Sequence, residues 1–300
     1  APSFRPDARL YEGLAYRPPK PNALTDEQGA VVGQFVTAAK ARGLEVWMQI
    51  QAAIPPCYRV QFGGPRPEDE PLLPTGHART GRVDRNASLV SPDVRDYVRA
   101  ITRDLCQTYP QIDGLKYDWP EYPVYHFDAL FFDFNPATVP HAKALGLDLS
   151  ALAQGTLAFL SDVGDGTLRR KSISLEDFDS FRDSLFSAYP VLRELIALRR
   201  AVVTDFAKFL RLCVDEASGG TCKLFLHAFP PPLNIGTGFD PGQVAPYCDA
   251  IGVKFYTMHW PMIEADYLSA LTSRSDFSPP EVARALSRIL QLSPDRPRDP

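Results

Sequence analysis

The chain has 300 residues, 45% hydrophobic and 23% charged, the composition of a globular protein able to bury a large core. Its net charge of −4 offers no surplus of cations to neutralise phosphates, which argues against nucleic acid or an anionic membrane as its main partner. Five cysteines without a CxxC pair exclude a disulfide scaffold and the usual zinc and dithiol motifs, and no run of about 18 apolar residues is present to span a membrane.

The first residues, APSFRPDARLYEG, have neither the basic start nor the apolar centre of a signal peptide, so such a segment is expected to be absent or already removed. RLYEGLAY (9–16) reads as a weak first strand. Thr25 and Gln28 have capping-box spacing, and Val31, Val32, Phe35, Val36 and Ala39 share one helical face until Gly43 ends the run. LEVWMQI (44–50) follows as a short apolar, β-branched and aromatic stretch that suits a buried strand. Ser91, Pro92 and Asp93 open the next helix through Val94, Tyr97, Val98, Ile101 and Leu105, and IDGLKYDW (112–119) is the next strand. A long helical region over 175–216, broken before Pro190, leads to a strand in CKLFLHAF (222–229). Asp240 and Pro241 start a short helix, CDAIGVKFYTM (248–258) supplies another strand, and Ser278 with Glu281 caps a last helix through Val282, Leu286 and Ile289.

Five strands alternating with helices predict an α/β fold with a parallel sheet, either doubly wound or a (β/α)8 barrel of TIM type. The barrel is favoured because each strand exits into proline and because the long connections, 51–90 and 119–174, follow strands, whereas strands are entered by short ones. No GxGxxG or GxxxxGK[ST] motif marks a doubly wound nucleotide site. A closed barrel needs eight strands, so the five are expected to be the second to sixth of an incomplete barrel forming one domain, with 293–300 as a tail or linker.

The densest chemistry lies in GLKYDWPEYPVYHFD (114–128), where a strand ends in Asp118 and Trp119 with Glu121 just beyond. Carboxylates beside aromatic rings suit sugars: a carboxylate stabilises an oxocarbenium-like transition state, an acid protonates the glycosidic oxygen, and pyranose faces stack on rings. Asp118 is read as nucleophile or charge stabiliser, and Glu121 as the acid or an orienting neighbour. Their Cα atoms lie within about 10 Å, which permits either retaining or inverting geometry. Gln49, Tyr117, Trp119, His227, Lys254, Tyr256, His259 and Trp260 are candidate substrate contacts at strand ends, with Arg59 from the loop 55–76. No metal or other cofactor is expected. The partner is a carbohydrate, as a small molecule or an oligosaccharide.

RGLEVWMQIQAAIPP, IDGLKYDWPEYP and AIGVKFYTMHWP resemble uncharacterised bacterial glycosyl-hydrolase-like barrel proteins, a likeness that covers most of 9–265. In many such barrels an aspartate ending the fourth strand is the nucleophile, which the resemblance carries onto Asp118 alone. The acid of those families has no single counterpart here. Three other functions compete with a glycosidase or transglycosidase: a Schiff-base lyase using Lys254, a non-catalytic carbohydrate-binding barrel, and, more weakly, a metal hydrolase built on His126, Asp128 and His141.

Overall fold

The computed structural model describes residues 4–55, 64–167, 178–255 and 259–290. In chain order the helices are α1 (Ala23–Gln28), α2 (Val31–Lys40), α3 (Pro92–Thr108), α4 (Val139–Ala144), α5 (Leu149–Gly164), α6 (Phe178–Ala188), α7 (Val191–Ser218), α8 (Leu233–Thr237), α9 (Pro241–Val244), α10 (His259–Arg274) and α11 (Pro279–Ile289). The strands are β1 (Trp47–Gln51), β2 (Gly114–Asp118), β3 (Lys223–Ala228) and β4 (Ala250–Val253). All pair in parallel in the order β1-β2-β3-β4, with Gln51 opposite Asp118, Asp118 opposite His227, and His227 opposite Gly252. Sequential parallel strands joined through helices are the repeating unit of a barrel wall. A complete barrel is compatible with this sheet; closure is not seen among the described residues.

Side chains alternate across a strand, so one residue step reverses the face. Leu115, Tyr117, Leu224, Leu226 and Ala228 lie on the buried outer face, which is covered by helix, with α3 packed on α7 and α7 on β3. The other face carries Trp47, Gln49, Lys116, Asp118, Phe225 and His227. Two glycines make room on it. A Cβ at Gly114 would lie 2.4 Å from the Trp47 ring, and one at Gly252 would lie 2.3 Å from the Phe225 ring. Trp47 and Phe225 use that space to meet edge-to-face at 6.0 Å, and the Lys116 ammonium stands 5.0 Å above Phe225.

The four expected strands from 44 onward are present. The fifth, 9–16, is not: Asp7 caps a 3-10 turn at Ala8–Tyr11, and the hydroxyls of Tyr11 and Tyr16 donate to Asp104 (2.7 Å) and Asp69 (2.5 Å). Those two anchors hold the segment against α3 and the loop before it, away from the sheet. The helix expected from Thr25 is two helices, and its capping box is Asn22 with Thr25 rather than Thr25 with Gln28. The long connection 119–174 contains α4 and α5, the latter capped by Asp148 and burying Leu152, Thr156, Phe159 and Val163. The expected break before Pro190 separates α6 from α7. No single helix among the described residues is long and apolar enough to cross a membrane. The tail 293–300 lies outside the described residues.

Candidate active site

Asp118 ends β2, and three strands deliver its partners. Gln49, on β1, donates from Nε2 to Asp118 Oδ2 at 3.4 Å. His227, the register partner on β3, brings Nδ1 to 3.5 Å from Asp118 Oδ1. Lys254, directly after β4, places Nζ 2.7 Å from the same oxygen, and its backbone N–H extends the ladder to Ala228 O at 2.9 Å. Asp118 Oδ1 also accepts from the Trp119 amide at 3.1 Å. Burial pushes the Asp118 carboxyl up, but hydrogen bonding and charge from His227 and Lys254 outweigh it and hold the group below the usual carboxylate range. Asp118 is therefore an ionised carboxylate at the C-terminal end of a parallel sheet, where α/β folds gather function.

Glu121 is wholly enclosed. Its Oε1 accepts from the Phe229 amide at 2.6 Å and lies 3.9 Å from Lys254 Nζ. Desolvation drives its pKa up to about 7, against the pull of Lys254, Thr237 and the Phe229 amide. Since both carboxylates meet one ammonium, their nearest oxygens are separated by no more than the sum of the two contact lengths, 2.7 and 3.9 Å. That bound admits the ~5–5.5 Å spacing of retaining glycosidases and falls short of nearly all the ~6.5–9.5 Å range of inverting ones. With no exposed surface, however, Glu121 reaches the site through Lys254 and the Phe229 backbone.

Lys254 is 3% exposed and lies between two carboxylates and two rings, 5.2 Å from the centre of Trp119 and 5.1 Å from that of Phe229. Burial lowers its pKa, opposed by Glu121 and Asp118. Aromatic residues continue outward: Tyr125 packs edge-on against Trp119 (5.9 Å), Phe229 (5.2 Å) and His259 (4.9 Å). Phe229, Lys254, His259 and Trp260 line a recess of about 10 Å³, room for one water. Trp119 itself has φ of 57°, a conformation rare for an aromatic residue. Asn86 holds it there. Its buried amide donates to the carbonyls of Trp119 (3.0 Å) and Glu121 (2.8 Å), and Asn86 is fixed in turn by Arg82 and Asp84.

Among the expected site residues, Gln49, Asp118, Trp119, Glu121, His227, Lys254, His259 and Trp260 come together. Tyr117 does not: it faces the helices, is fully buried, and shares a 2.5 Å hydrogen bond with Thr102 on α3, so it is a core residue rather than a substrate contact. Arg59 and Tyr256 lie outside the described residues. His126, Asp128 and His141 form no cluster, since His126 pairs with Asp266, Asp128 with Arg79 and Arg274, and His141 with Asp205. No group of three potential metal ligands occurs among the described residues. Asn86 and Lys116 were not expected at the site. Alternation from Asp118 reveals Lys116, whereas nothing in RVDRNAS marks an asparagine that serves two distant carbonyls.

No family model and no curated protein matches the chain. Among solved structures it is similar to the PgaB (BpsB) glycoside hydrolase domain from Bordetella bronchiseptica, with TM-score 0.46 and 12% identity over 79% of this chain and 61% of that one. It is also similar to a beta-galactosidase from the psychrophilic Marinomonas ef1, with TM-score 0.47 and 17% identity over 75% of this chain and 33% of that one. The chain thus spans less than two thirds of either neighbour. Both neighbours are glycoside hydrolases by name, and at this identity the likeness concerns the fold alone.

Proposed function

We propose that the chain is a glycoside hydrolase or transglycosidase in which Asp118 is the nucleophile. One observation carries this reading: a carboxylate kept ionised by Lys254 and His227 stands at the strand ends beside a wall of Trp119, Tyr125 and Phe229. Ionisation suits attack on an anomeric carbon, and the half-buried Trp119 ring, backed by the buried Tyr125 and Phe229, suits the apolar face of a pyranose. Gln49, Trp260 and His259 contact substrate, while Glu121 orients Lys254. Asp118→Asn keeps the shape and loses the charge and the nucleophilic oxygen. Turnover of any aryl glycoside cleaved by the parent is expected to fall at least ~10³-fold, well beyond the effect of the lower melting temperature expected when buried Lys254 loses its ionised partner at 2.7 Å. Equal turnover would assign Asp118 a structural role.

A second reading rests on Lys254, a buried lysine at a strand end whose pKa is lowered. Such an amine is suited to form a Schiff base with an aldehyde or ketone. Borohydride treatment with small aldehydes and ketones separates the two readings: a reduced adduct on Lys254, seen by mass, favours the lyase, and none is expected for the glycosidase.

A further inference from the structure

The proposed chemistry leaves His126 idle, although it is buried and directly follows Tyr125 in the chain. Both of its ring nitrogens are engaged. Nδ1 lies 2.8 Å from Asp266 Oδ1 on α10, and Nε2 lies 3.2 Å from the backbone nitrogen of Val83. A backbone N–H can only donate, so Nε2 carries no proton and accepts, and the single proton of the neutral ring sits on Nδ1 and goes to Asp266. Asp266 is suited to take it. Burial pushes its carboxyl up, but hydrogen bonds from His126 and from the Phe127 amide (2.9 Å), with the Arg79 charge behind them, hold it below the usual carboxylate range. Only the neutral imidazole makes both bonds.

Val83 belongs to the short segment that ends in Asn86. Arg82 and Asp84, on either side of Val83, pair with each other; Arg82 also donates to the Asn86 carbonyl at 2.8 Å, and Asp84 accepts from the Asn86 amide at 3.2 Å. Segment 82–86 is therefore one hydrogen-bonded unit, tied to α10 at Val83 and to the carbonyls of Trp119 and Glu121 at Asn86. We propose that His126 is a positioning residue, a pH-dependent latch that couples α10 to the turn at Trp119 through this segment. A second ring proton falls on Nε2 and meets the Val83 N–H, donor against donor, so that bond is lost while the pair with Asp266 gains charge. Val83 is exposed, so water takes up the freed amide and the segment loosens without the fold opening. The charged groups around the latch are Asp266 with Arg79 at 3.8 Å, Asp128 between Arg79 and Arg274, and the Arg82–Asp84 pair beside Val83. The latch does not depend on which reaction the site performs.

The test is heteronuclear NMR of the parent, His126→Gln and Glu121→Gln between about pH 8 and 5, the range in which an imidazole titrates. At the alkaline end the parent is expected to carry the His126 proton on Nδ1. As pH falls, the Val83 amide and the Trp119 indole should shift with the same midpoint as the His126 ring. Exchange of the Val83 amide with deuterated water, corrected for its intrinsic pH dependence, should lose roughly tenfold in protection, which is what one hydrogen bond supports. Glu121, with its pKa pushed up to about 7, titrates in the same range, so Glu121→Gln should leave the steps at Val83 and Trp119 in place. His126→Gln should abolish them. If that variant does not fold, the parent alone decides: a proton on Nε2 at the alkaline end, or midpoints at Val83 and Trp119 that differ from that of the ring, overturns the latch. Steps that survive in a folded His126→Gln overturn it equally.

Discussion

Asp118 and Glu121 share one ammonium, yet their surroundings drive their ionisation apart, Asp118 downward and Glu121 up to about 7. Burial acts on both, and only Asp118 has enough hydrogen bonding and charge to overcome it. The shift at Glu121 has a stability consequence of definite sign. A carboxyl whose folded pKa lies above its unfolded value binds more protons when folded, so stability is full below about 4.5 and declines as pH rises towards 7. The full effect is on the order of 3 kcal/mol. Glu121→Gln keeps an acceptor for the Phe229 amide and cannot ionise. Melting temperatures measured from acid to neutral pH should therefore decline more steeply for the parent than for the variant, in which Glu70, Asp104 and Asp133, also raised by burial, still titrate; parallel curves would show that Glu121 does not titrate there. At this scale much of the site was legible, because a carboxylate closing a strand is visible in GLKYDW. Tyr117 was misread for a plain reason: adjacency in a strand means opposite faces, so the residue next to Asp118 belongs to the core.

Among the elements, the segment 119–121 between β2 and the aromatic wall depends most on contacts from elsewhere. Trp119 holds a left-handed backbone conformation, and Asn86, 33 positions earlier, binds the carbonyls on either side of Pro120. Asn86→Ala would leave two carbonyls short of a donor in a closed setting, at a cost of about 1–3 kcal/mol each. Denaturant unfolding should register a loss of about 2–6 kcal/mol, and activity should fall further than stability alone explains, because Trp119 and Glu121 are released together. Unchanged stability would mean that the turn holds itself. The strands from 44 onward and the helices opened by Ser91, Asp240 and Ser278 were legible, since periodicity and caps are local signals. Asp148 with Leu152, Phe159 and Val163 carries the same local signal for α5 within the long connection 119–174. RLYEGLAY could not be resolved locally, because the hydroxyl anchors that keep it out of the sheet lie at Asp69 and Asp104.

For the molecule as a whole, helices cover one face of a four-stranded parallel sheet, and the other face carries the charges and rings that converge on Asp118. Parallel order followed from the alternation of helix and strand; the number of strands did not, because a tyrosine-rich turn has the composition of a strand. The same inward face gives an unreactive residue unusual weight. Gly252 sits opposite His227, and a methyl group there would meet the Phe225 ring at 2.3 Å and His227 Cδ2 at 3.2 Å. Phe225 is already confined by Trp47 and Lys116, so the displacement would pass through His227 to Asp118. In hereditary terms, a single-base change that replaces this glycine is expected to disturb the proposed chemistry without altering the identity of any residue assigned to it. The lineage's freedom to vary the strand that leads to Lys254 is thus bounded by a residue with no functional group of its own.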